Sequence, residues 1–96
     1  MLLWMAVACS TGPELSPAAA RGRTVYQANC TACHNVDPAR DGALGPAVKG
    51  ASRELLEARI VRGEYPVGYT PKRTTTLMVA LPAVAGSVDD LAEYLK

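Results

Sequence analysis

The sequence has a single histidine, His34, and no stretch long enough to cross a bilayer. Its longest apolar run, MLLWMAVAC, falls far short of the roughly 20 residues a spanning helix needs. There is almost no net charge: 10 Lys and Arg stand against 9 Asp and Glu, which leaves a general nucleic-acid role without electrostatic support. Tryptophan occurs once, at Trp4, and no internal repeat is visible. Cysteine is scarce as well. Beyond Cys9, only Cys30 and Cys33 remain, and a bridge between them would close so short a loop that it would remove little unfolded-state entropy.

That shortage matters because residues 22–96 make a body whose hydrophobic core is marginal. Domains of this size usually need a disulfide, a metal or a cofactor as a staple. The disulfide is ruled out as a sufficient one. Something else has to complete the core.

The first residues are unlike the rest. An apolar run followed by STGPELSPAAA, small, polar and proline-containing, has the character of a secretory leader. Cys9 ends the run behind Ala6-Val7-Ala8, which resembles the lipobox of bacterial lipoproteins. The resemblance implies lipidation of Cys9 on its sulfur, with the following residues as a flexible tether. The alternatives are a secretory signal cut after Ala18-Ala19-Ala20, or a thiol without a role. The expected organisation is a leader and tether over residues 1–21 and a folded domain over residues 22–96.

Within that domain, Gly22 to Cys30 reads as a short helix, with Val25, Tyr26, Asn29 and Cys30 on one side. NVDPARDGALGPAVKGAS is loop. Ser52 is a helix N-cap with Glu54 in the first turn, and Leu55, Leu56, Arg59 and Ile60 follow at helical spacing until Gly63 closes the element. Pro66, Pro71 and Pro82 make the next segment irregular. Ser87 opens a last helix, where Val88, Leu91, Ala92 and Leu95 form an apolar stripe. The expectation is an all-α domain of three to four short helices. Loops this long in so small a domain are anomalous unless they wrap something.

Charge is less even than its total. Lys49, Arg53, Arg59, Arg62, Lys72 and Arg73 face only Glu54, Glu57 and Glu64 in the middle of the chain, while the last helix carries Asp89, Asp90 and Glu93. A basic middle suits an acidic partner or is simply a solvated face.

The chemistry is concentrated in Cys30-Thr-Ala-Cys33-His34. C-x-x-C-H is the attachment signature of c-type haem: the thiols add across the porphyrin vinyl groups and the adjacent imidazole meets the iron. A structural zinc site would want four ligands, and carboxylates with recognisable spacing are missing. A thioredoxin-like pair would sit in a βαβ context, which the pattern does not show. An electron carrier would also need a distant sixth ligand. Met78 is the one methionine in the domain, and it either binds the iron opposite His34 or fills an apolar gap.

Taken together, these features resemble the small monohaem class I c-type cytochromes over residues 22–96. Gly22 and Tyr26 look like the glycine and aromatic of that family's first helix, and Leu91 and Tyr94 like their partners on the last. GALGPAVKG resembles the loop on the histidine side, which implies that the Pro46 carbonyl accepts the His34 N–H. GYTPKRTTTLMVALP resembles the segment that delivers the methionine. The resemblance implies a cytochrome c fold, with the helices and loops wrapped around one haem c joined covalently to Cys30 and Cys33 and held axially by His34 and Met78. It implies a single-electron carrier rather than an enzyme, working outside the cytoplasm between protein donors and acceptors such as membrane respiratory complexes. The alternatives are a haem c subunit of a larger membrane oxidoreductase, or a gas sensor or peroxidase-like protein if Met78 does not bind. The domain has no tryptophan to meet a haem propionate; Arg53, Arg59, Arg62, Tyr65, Tyr69 and Lys72 are the candidates to replace it.

Overall fold

The computed structural model describes residues 14–96; Trp4 and Cys9, with the expected lipidation, lie outside the described residues. Helix α1 runs Pro17–Asn29. It begins earlier than the expected Gly22 because its start is well signalled. The Ser16 hydroxyl accepts the Ala19 N–H at 3.0 Å, Pro17 needs no N–H at a first-turn position, and three alanines follow. The expected boundary between residues 21 and 22 therefore falls inside a helix. Ala19, Gly22 and Tyr26 form its buried side, Val25 and Cys30 are half-buried, and Asn29 turns outward to donate to the Val25 carbonyl.

Helix α2, Arg53–Glu57, is capped by Ser52, whose hydroxyl accepts the Leu55 N–H at 3.1 Å. The helix continues as a widened π turn, Ala58–Arg62, and closes at Gly63, so the expected helix is present with its second half wound more loosely. A 3₁₀ segment, Pro82–Ser87, leads directly into α3, Val88–Leu95. Ser87 makes no capping bond, since the chain is already helical when it arrives there. The predicted stripe on α3 is inward: Val88, Leu91 and Leu95 are buried and Ala92 is half-buried.

Helices α1 and α3 cross at Gly22. A Cβ there would collide with the Asp90 carbonyl oxygen and come within 2.9 Å of the Tyr94 Cβ, so only glycine permits the approach. One turn along, Tyr26 and Tyr94 meet with ring centres 5.7 Å apart and planes at 50°. Arg21 adds a two-pronged pair with Asp90 at 3.0 and 3.1 Å, but it is solvated and contributes little. Leu56, Ile60, Val84, Val88, Leu91 and Leu95 complete the core beside Tyr26. The described residues form no strand, and none of their helices is long and apolar enough to cross a membrane. The fold is all-α, and its long loops border one side of this small core.

Candidate functional site: a cavity between two loops

The cysteine motif follows α1 as a tight turn. The Cys30 carbonyl accepts the N–H groups of Cys33 and His34 at 3.2 and 2.9 Å, which keeps both thiols and the imidazole close to the helix end. The Tyr26 hydroxyl donates to the Asn35 carbonyl and so ties the end of the motif back to the core. Next, the chain folds over the turn: Leu44 and Gly45 N–H groups both donate to the Cys33 carbonyl, at 3.1 and 2.9 Å. Gly45 then lies flat against the imidazole, where a Cβ would stand 2.6 Å from His34 Nδ1. That close approach brings Pro46 into position. Its carbonyl oxygen lies 2.8 Å from His34 Nδ1, an arrangement in which Nδ1 carries the proton and Nε2 keeps its lone pair for a metal.

The opposite wall comes from the segment after the π turn. Met78 is half-buried and packs on the core. Its carbonyl accepts Arg59 Nη2 at 3.0 Å, and further along the Leu81 N–H donates to the Ile60 carbonyl at 2.7 Å.

Between the two walls lies a cavity of about 630 Å³, lined by Cys30, Cys33, His34, Pro46 and Met78 together with core leucines and Ile60. Such a volume is in the range of cofactor pockets, roughly 300–1,000 Å³. Lys49, Arg59, Lys72 and Arg73 also line it, and no aspartate or glutamate does. The lining is therefore suited to a large flat apolar group with anionic substituents. A shallower groove of about 460 Å³ beside α3 is lined by Arg53 but by none of Cys30, Cys33, His34, Pro46 and Met78.

The other readings of the cysteines fare worse. Burial pushes the Cys30 thiol up, with a further push from Cys33, whereas a redox nucleophile needs its thiol pushed down. Among the described residues no group of three or more His, Cys, Asp and Glu could hold a metal ion, so a zinc site lacks its ligands.

The candidates for a propionate partner separate cleanly. Arg59, Tyr65, Tyr69 and Lys72 line the cavity. Arg53 does not, being engaged with Asp89 and Glu57, and neither does Arg62, which lies near Glu57 and Glu64. Lys49 and Arg73, which the sequence offers only as part of its basic middle and not as propionate partners, line the cavity too. The adjacent Lys72-Arg73 pair was the available signal. The contact of Arg59 with the Met78 carbonyl left no trace in the sequence, because a backbone acceptor has no residue type.

An all-helical fold that gathers a C-x-x-C-H turn, a backbone-braced imidazole and a remote methionine around one apolar cavity is that of a c-type haem protein. Residues 17–95 match the family described as Cytochrome C oxidase, cbb3-type, subunit III, and the chain belongs to this family of small c-type cytochromes. It is also 33% identical over 76 residues to a cytochrome c-553-like protein of Synechocystis sp., an alignment covering 79% of this chain and 65% of the relative. The chain thus spans just under two thirds of that relative's length. No solved structure gives a significant match.

Proposed function

We propose that the protein is a single-electron carrier that holds one haem c, bound through Cys30 and Cys33 with His34 and Met78 as axial ligands. The observation that carries this reading is the convergence of all four side chains on one cavity. The haem would supply the redox couple. His34 would be held in orientation by Pro46, and Met78 would fill the remaining iron position, leaving no place for a substrate. An unchanged ligand set keeps reorganisation small, and the thioether favours the ferrous state and raises the potential.

Protein donors and acceptors are the proposed partners. Leu44, Leu77 and Val79 line the cavity and are 50%, 62% and 63% exposed, next to Lys49, Lys72 and Arg73. An apolar mouth with a basic edge suits a protein surface. A second reading, a haem c subunit of a larger membrane oxidoreductase, is favoured by the match to the oxidase subunit family. It shares the chemistry and differs in partner. We place the protein outside the cytoplasm, with a leader and tether ahead of helix α1 in place of the expected 1–21, and with a lipid on Cys9 as its membrane anchor.

The test is an optical spectrum of the purified protein, oxidised and reduced, with and without carbon monoxide. A low-spin c-type spectrum that carbon monoxide leaves unchanged, with the weak far-red band of sulfur-ligated ferric haem, is the expected result. A high-spin spectrum that shifts with carbon monoxide would mean an open iron, and a gas sensor or peroxidase-like protein in place of a carrier.

A further inference from the structure

We propose that Arg59 is the positioning residue that holds Met78 to the iron, an inference that rests on the ligation proposed above. The segment bearing Met78 has little to hold it. Between Pro71 and Pro82 it forms neither helix nor strand. From Thr74 to Ala80 the described residues make one hydrogen bond, in which Arg59 Nη2 donates to the Met78 carbonyl at 3.0 Å.

The donor is itself fixed in place. The Arg59 guanidinium carbon lies 4.1 Å from the centre of the Tyr65 ring, and Tyr65 stacks on Tyr69 at 5.5 Å with planes 10° apart. A planar cation laid on an aromatic pair has already lost much of the freedom that a long side chain forfeits when it makes a bond.

The π turn supplies the second grip. Ile60 lies in the last turn before the left-handed Gly63, where a helix carbonyl has no partner within the helix. Here the Glu64 N–H goes to the Ala58 carbonyl at 2.9 Å, and Ile60 is left to accept Leu81 at 2.7 Å. Consecutive residues of one widened turn therefore hold the chain at Met78 and at Leu81, one by side chain and one by backbone. Widened turns of this kind recur at functional sites. Without Arg59, no hydrogen bond would hold the chain from Thr74 to Ala80, and Met78 would be left with its packing on the core between the anchors at Lys72 and Leu81. An uncharged thioether depends on its backbone to stay presented to a metal.

The test uses the haem-loaded protein carrying Arg59→Gln, Arg59→Lys or Tyr65→Phe, with Met78→Ala as the reference for ligand loss. In Arg59→Gln, the fraction of ferrous protein open to carbon monoxide should rise roughly tenfold or more, the factor corresponding to a charge-assisted hydrogen bond. Its far-red band should disappear on warming well before global unfolding followed by circular dichroism. Arg59→Lys should recover part of this, since an ammonium donates but does not lie flat on a ring. Tyr65→Phe keeps the ring and should match the parent. Should the glutamine variant fail to take up haem, the lysine variant carries the same comparison.

The inference is overturned if the Arg59 variants keep the parental band and carbon monoxide behaviour while Met78→Ala loses the band. It is also overturned if band loss and unfolding shift together, which marks a purely structural arginine. A change confined to the pH dependence of the potential would overturn it too, by assigning the guanidinium to a haem carboxylate. If Met78→Ala itself keeps the band, the ligation reading fails first, so the two failures are distinguishable.

Discussion

Tyr26 is the side chain on which core and site both depend. It is only 1% exposed, it packs against Tyr94, and its hydroxyl donates to the Asn35 carbonyl immediately after the cysteine motif. Burial, with smaller pushes from Cys30, Tyr94 and Asp37, raises its pKa from 10.0 to about 12. The fold thus favours the neutral phenol. That contribution is complete below the unfolded value and is lost as pH rises through the folded one, a window from about pH 10 to about pH 12. Tyr26→Phe should lower stability by about 1 kcal/mol at pH 8 through the lost hydrogen bond. The two unfolding midpoints should then converge and cross as pH is raised through the window, because a rise in pKa from 10.0 to about 12 outweighs a gap of about 1 kcal/mol. A constant gap in parallel denaturant titrations would show that the phenol does not titrate with unfolding. At this scale His34, Cys30 and Cys33 were legible because their spacing is itself the chemistry. Arg59 was not, since its acceptor is a carbonyl that any residue could supply.

At the level of elements, the crossing of α1 and α3 decides how the cysteine turn is presented to the rest of the molecule. Gly22 is interior to a helix, a position where alanine would ordinarily add about 1 kcal/mol. Here the added methyl would meet the Asp90 backbone and the Tyr94 Cβ. Gly22→Ala should therefore be net destabilising by about 1–3 kcal/mol in denaturant unfolding of the haem-loaded protein. A gain in stability would mean that the helices can part without loss. The apolar stripe of α3 and the Ser52 cap were readable from periodicity and residue type. The early start of α1 was missed because proline and small residues suggest a linker until Ser16 is recognised as a cap. The π turn was missed for a different reason: its hydrogen bonds are exchanged with Leu81, a partner distant in sequence.

For the whole molecule, the small core and the large apolar cavity belong to one design, in which a cofactor completes what the chain does not bury. The proposed lipid anchor also acts at this scale, since a tethered carrier searches a surface instead of a volume. Cys9→Ser should move the protein from the membrane fraction to the soluble fraction while leaving its spectrum unchanged; continued membrane association would discredit the anchor. By itself, the sequence determined the class of the protein, the turn that presents the cysteines and His34, and the helical faces, because these depend on neighbours within a few residues. Only the tertiary structure decided which basic and aromatic side chains reach the cavity, and that Arg59 donates to the Met78 carbonyl. Those contacts join residues far apart along the chain, and a carbonyl or a cavity wall has no letter in the sequence.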